Sequence, residues 1–150
     1  MQDENYRDFH AKLIPNIDKE TIIGVRVPRM RAYARTVWKQ APETARAFLE
    51  ALPHGYYEEN CLHGLLIGVL SETADEALRL IDRFLPYIDN WATCDMLPPK
   101  IFASDLARVR ETVLPWLASE ETYRVRFAIV TLLTFFLEEE TFEPEDLLRL

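Results

Sequence analysis

The sequence predicts an all-α protein, and three observations carry that expectation. Apolar residues recur at spacings of three and four along the 150-residue chain, as they do on one face of a helix. Glycine occurs only 4 times, while Leu, Ala, Glu and Arg are plentiful, a balance that suits helices better than the tight turns of an all-β domain. No series of period-two segments bounded by turn residues is present. The stretch "TIIGVRV" is the one short strand candidate, and it is equally readable as a loop leading into a helix.

Each element has its own signal. A helix is expected over residues 28–40, with Pro28 at its first position, where a missing N–H does no harm. Another begins at Pro42. Residues 58–70 form a third, with Cys61, Leu62, Leu65, Leu66 and Val69 inward, and Gly64 and Gly68 spaced for the close approach of a neighbouring helix. Thr73 opens the next, with Glu76 three residues on as in a capping box, and Ala77, Leu78, Ile81, Phe84, Leu85 and Ile88 make its apolar face. In "DNWATCDMLPPK", Asn90 or Asp89 can cap a helix that Pro98 and Pro99 then interrupt. Further helices surround "RVRETVLPWLAS" and span residues 120–137.

Short breaks such as "LPHG", "SET" and "YIDN" join these helices, so neighbours are expected to lie antiparallel. Pairs recurring at roughly 30 to 50 residues suggest a stacked helical repeat. "RFLPYIDN" and "TVLPWLASE" echo one another, each ending a helix in a Leu-Pro-aromatic step. A compact helical bundle is the rival architecture. The final stretch, "TFEPEDLLRL", announces one more helix and stops about two turns into it, as a shortened version of a longer design would.

The formal net charge is -8, which as a total argues against nucleic acid. Its distribution argues otherwise. Residues 138–150 hold six acids and one Arg, leaving 19 acids against 16 cations in the first 137 residues. Residues 21–42 contain no acid and five cations, Arg26, Arg29, Arg31, Arg35 and Lys39, a patch able to meet an anion or to serve as a solvated helix face. No apolar run approaches the roughly 18 residues of a membrane span. The N-terminus, "MQDENYRDFH", is polar and acidic, unlike a secretion signal. The two cysteines, Cys61 and Cys94, form no CxxC pair, so reduced thiols in a cytoplasmic protein are expected.

Two anomalies carry chemistry. Trp91 and Asp95 lie one helical turn apart on one face, with Asp95 close enough to the N-terminus to feel the helix dipole. In "YRVRFAIVTLLTFFL", Val125, Ala128, Ile129, Leu132 and Phe136 make one stripe, while Arg126 leads a second row with Val130, Leu133 and Leu137. A cation at the head of an apolar row needs a partner or a groove edge, and an Arg126–Asp95 pair would satisfy both charges. A buried ion pair that only staples two helices is the structural alternative. Arg124 is the ordinary surface arginine of that helix. Cys61 and His63 point to different faces, His10 and His54 have no ligand spacing, and no metal site is expected. Trp38 and Trp116 sit in helical rows and suit a core. Lys100, just past the Pro pair, can reach a phosphate or remain solvated.

"NWATCD", then "YRVRFAIV", preceded by "GVRVPRMR", resembles the DNA alkylation repair family of helical-repeat DNA glycosylases over residues 6–140. The Trp-x-x-x-Asp spacing is weak alone, and its order with the other two motifs is fairly specific. The resemblance implies an α-solenoid of HEAT-like (ARM-type) repeats forming one domain over residues 1–150, with the family's C-terminal helices absent and a short N-terminus. It implies excision of N3- and N7-alkylated purines from duplex DNA by hydrolysis of the N-glycosidic bond, with no metal or other cofactor. Asp95 matches the family's catalytic carboxylate, Trp91 its sugar-facing indole and Arg126 its active-site guanidinium. Arg29, Arg31, Arg35 and Lys100 are the candidate DNA-binding cations. The acidic total charge and missing helices leave a second reading, an inactive binding module for nucleic acid or for a protein partner.

Overall fold

The computed structural model describes residues 2–137 and Pro144. Eight α-helices and no strand occur among the described residues: α1 Glu4–Leu13, α2 Val27–Gln40, α3 Pro42–Glu50, α4 Tyr57–Leu70, α5 Ala74–Phe84, α6 Trp91–Asp95, α7 Leu106–Val113 and α8 Thr122–Phe135. The protein is all-α, as the periodicity predicts. The further helix expected in "TFEPEDLLRL" lies outside the described residues, Pro144 apart.

The predicted boundaries mostly fall within one or two residues of those observed. Pro28 stands in the first turn of α2 and Pro42 opens α3. Thr73 caps α5 by accepting from the Glu76 N–H at 3.1 Å, but Glu76 returns its bond to the N–H of Glu72 rather than Thr73. The two Leu-Pro-aromatic steps behave alike. After α5 and after α7 the chain tightens into 3-10 turns, Leu85–Tyr87 and Leu114–Ala118, where the proline ring has no N–H to continue the α ladder. α1 has no counterpart among the predicted helices. His10 is its only buried residue, so its apolar stripe is too thin to read, and it rests on its cap, Asp3, which accepts from the Tyr6 N–H at 3.0 Å.

Two apolar clusters hold the molecule. The larger joins α2 through α8 around Phe84, Phe102, Phe127, Ile81 and Leu66. The smaller gathers Ile14, Ile22, Met30, Tyr57 and Cys61. Full burial of each such side chain contributes roughly 1.5–3 kcal/mol. α2 packs on α3 and α4, α4 on α5, α5 on α7, and α7 on α8. The short α6 touches α4 and α8 and lies at the seam between the clusters, with Cys94 and Leu97 in the larger and Ala92 and Met96 against the smaller.

"TIIGVRV" is the loop, not the strand. Its backbone hangs on one buried carboxylate, for Glu58 of α4 accepts from the N–H groups of Ile23 at 2.8 Å, Gly24 at 2.7 Å and Val25 at 3.1 Å. Gly24 has φ +90°, and a Cβ there would meet the Asp3 carbonyl oxygen at 2.5 Å, so only glycine fits. The Gly64/Gly68 spacing serves a different neighbour from the one expected. A Cβ at Gly64 would lie 2.4 Å from Leu97 Cδ2 and one at Gly68 would lie 3.6 Å from Pro99, an ordinary contact, so Gly64 makes room for the turn that follows α6 rather than for another helix.

Candidate active site

α6 is only five residues long, too short to persist on its own. The Asn90 side chain caps it, accepting from the Thr93 N–H at 2.8 Å, and the Asp89 carboxylate accepts from the Asn90 amide at 2.9 Å. Four further contacts tie it to surrounding elements. Cys61 of α4 meets Thr93 at 3.6 Å, and the Cys94 thiol donates to the Tyr123 carbonyl of α8 at 3.4 Å. The Trp91 indole N–H donates to the Leu13 carbonyl at 3.0 Å, and the Asn16 amide donates to the Asp89 carbonyl. Burial pushes the Cys61 thiol up to about 11 and the Cys94 thiol up to about 12, so both stay protonated near neutrality and serve as tethers rather than nucleophiles.

Asp95 closes α6 and meets Arg126 of α8 in a two-pronged pair, Nε to Oδ1 at 2.6 Å and Nη2 to Oδ2 at 2.7 Å. Donating to the Asp95 carboxylate raises the Arg126 guanidinium further above its already high ordinary value. The pair is half-open rather than buried, for the Asp95 side chain is 31% exposed and that of Arg126 is 42% exposed. Trp91 is also exposed; with its N–H committed to Leu13, what it offers outward is the ring.

The rows of α8 differ from those expected. Phe127, Ala128, Thr131 and Leu132 are the buried residues of the helix, whereas Val125 and Ile129 are half-buried. The Arg126 row runs through half-buried Val130 to Leu133 and Leu137, both exposed. Arg124 is not the surface arginine. It is 15% exposed, pairs with Asp82 and with Glu121 at 2.7 Å, and lies over the Trp116 ring at 5.1 Å. The Arg126 side chain, two residues further on, is the more open of the two.

Three of the four predicted groove cations come together. Arg31 and Arg35, one turn apart on α2, and Lys100 line a cavity of about 340 Å³ with Gly64, Gly68, Met96, Leu97 and the Pro pair. Met96 and Leu97 directly follow Asp95, so this cationic groove adjoins the candidate site. Arg29 faces elsewhere, toward Gln2, Asp3 and Arg26 and toward an apolar hollow beside Tyr33. Trp38 and Trp116 pack against the larger cluster, as their rows predict.

The histidines hold no metal arrangement, and no group of three or more His, Cys, Asp or Glu able to bind one occurs among the described residues. His63, buried, meets His54 at 2.9 Å and stacks on Phe84. Sequence reasoning missed Asn16 and the Leu13 carbonyl. Both lie more than 70 residues from the motif they touch, and nothing in a local pattern points to them.

The fold and the site define an all-helical protein with a half-open carboxylate–guanidinium pair and an exposed indole next to a cationic groove. The chain belongs to the DNA alkylation repair enzyme family, whose model matches residues 2–150. No curated protein and no solved structure matches it. Membership agrees with the resemblance carried by the three motifs, and it places the chain among enzymes of DNA repair, with DNA as the implied substrate. No helix among the described residues is long and apolar enough to cross a membrane.

Proposed function

We propose that the protein is a DNA glycosylase that excises cationic N3- and N7-alkylated purines from duplex DNA by hydrolysing the N-glycosidic bond. The observation that carries this reading is the half-open Asp95–Arg126 pair, at the other end of α6 from Trp91 and adjoining, through Met96 and Leu97, the groove of Arg31, Arg35 and Lys100. We read the helix stack as a HEAT-like α-solenoid forming a single domain in a cytoplasmic protein.

An alkylated purine already carries positive charge and leaves readily. As the bond from C1′ to the base nitrogen breaks, its electron pair neutralises the base and positive charge builds on the deoxyribose. The Asp95 carboxylate stabilises that charge and orients the water whose oxygen bonds to C1′, the water's proton passing to the carboxylate or to solvent. The Trp91 ring face favours the same cationic sugar. Arg126 grips the phosphate at the lesion, while Arg31, Arg35 and Lys100 neutralise flanking phosphates. No metal and no other cofactor has a part in these steps.

The test is release of free methylated base from duplex DNA containing N7-methylguanine. Removing one electrostatic stabiliser of a developing charge typically costs about 10²–10³ in rate, so Asp95→Asn is expected to fall by that much while retaining most of its DNA affinity. Turnover unchanged in that variant would remove Asp95 from the mechanism. The net charge of -8 favours a second reading, a catalytically inactive HEAT-like module that binds nucleic acid or a basic protein partner. Duplex affinity without any base release, falling steeply with added salt, would select the nucleic-acid form of that reading. No duplex binding even at low salt would select the protein-partner form.

A further inference from the structure

The chain leaving α1, residues 13–16, contacts the candidate site from outside every motif that marks it. Ile14 is fully buried in the smaller cluster, which also receives Ala92 and Met96 of the α6 segment. From that anchor the Leu13 carbonyl accepts the Trp91 indole N–H at 3.0 Å. On its other side the Asn16 amide donates to the Asp89 carbonyl, in the turn just ahead of the Asn90 cap. One amide therefore ties the chain after α1 to the segment that starts the Asp95 helix. α6 is too short to set its own direction, so its direction is set by such ties.

We infer that Asn16 is a positioning residue of this site: by bonding the Asp89 carbonyl just ahead of α6, beside the Leu13 carbonyl that holds the Trp91 indole, it keeps the Trp91 ring and the Asp95 helix at their working angle to Arg126. The inference rests on the glycosylase reading for its consequence and on the contacts of residues 13–16 for its geometry. Asn16 is itself exposed and outside both clusters, so replacing it leaves the cores intact. Asn16→Asp keeps the shape and sets an acceptor against the Asp89 carbonyl, while Asn16→Ala removes the tie.

The experiment has two arms on the full chain. The Trp91 indole N–H is followed by ¹⁵N–¹H correlation, its signal assigned with Trp91→Phe. Single-turnover release of N7-methylguanine and duplex affinity are measured alongside. In Asn16→Asp the indole signal is expected to move and its hydrogen to exchange about tenfold faster. Small misplacements of positioned groups reduce rate strongly, so release should slow by about tenfold or more with duplex affinity and thermal midpoint little changed. An indole unaffected by either variant overturns the inference, and so does a displaced indole with wild-type release. If the wild type itself releases no base, the glycosylase reading falls, and the indole arm alone then decides whether Asn16 positions Trp91.

Discussion

Two carboxylates in this molecule are put to opposite uses. Glu58, buried on α4, commits both oxygens to the backbone N–H groups of Ile23, Gly24 and Val25 and is nearly closed off from a ligand. Asp95, at the end of α6, meets one guanidinium and is still 31% exposed. The first geometry ties an irregular loop to a helix. The second leaves a charge where a substrate can reach it. The lesson is that neither burial nor pairing alone marks a reactive group; what matters is how much of its bonding capacity the protein has left unused.

Exchanging each carboxylate for its amide is the sharpest way to break this comparison. Asp95→Asn is expected to lose about 10²–10³ in base release. Its folding stability should change by only about 1 kcal/mol, because an ion pair this open to water is largely screened. Glu58→Gln should do the reverse. Its amide nitrogen turns a donor toward backbone donors, leaving at least one buried N–H unsatisfied at about 1–3 kcal/mol. Urea unfolding should therefore show a lower midpoint, while base release per folded molecule stays near wild type. Matching losses of stability in both variants would erase the distinction.

The helices were legible in the sequence because their signals are local. Pro28, Pro42, Thr73 and Asn90 each announce a first turn within a few residues, and all four act there. The Asp95–Arg126 pairing was legible for a related reason: a charge that breaks an apolar row needs a partner. What was not legible depends on distance in sequence. The thin stripe of α1, the reach of Asn16 to Asp89 and the choice of Leu97 as the neighbour of Gly64 are settled by tertiary contact. The exchange of roles between Arg124 and Arg126 has the same origin, since Asp82 and Trp116 come from other elements to claim Arg124.

A smaller effect sharpens the contrast on the Asp95 side. Gly64→Ala would place a Cβ 2.4 Å from Leu97 Cδ2, in the turn directly after the site helix. Overpacking of this kind costs about 1–3 kcal/mol. The clash is with the far end of the Leu97 side chain, so rotation of that side chain relieves part of it; what remains pushes on the segment that joins Asp95 to Lys100, and base release per folded molecule should fall together with stability. Gly68→Ala meets Pro99 at 3.6 Å, an ordinary contact, and should leave both close to wild type. Stability lost in Gly64→Ala without any loss of release would mean that the turn flexes without moving Asp95.

The Glu58 side can be probed by pH through another buried polar group on the same helix. Burial, with His54 and Arg83 nearby, lowers His63 from an ordinary 6.5 to about 3. The folded protein therefore keeps this ring neutral where the unfolded chain protonates it. The stability it contributes is fully present above about pH 6.5 and is lost as pH falls from there toward 3, amounting to about 2 kcal/mol by pH 5. In His63→Phe, which keeps a ring against Phe84 but cannot take a proton, the decline between pH 7 and pH 5 should be shallower by that amount. Base release per folded molecule should follow the same pH curve in both proteins, because His63, like Glu58, is enclosed within the structure and touches none of Trp91, Asp95 or Arg126. A pH curve for release that changes with His63→Phe would couple the structural half of the molecule to the reactive half.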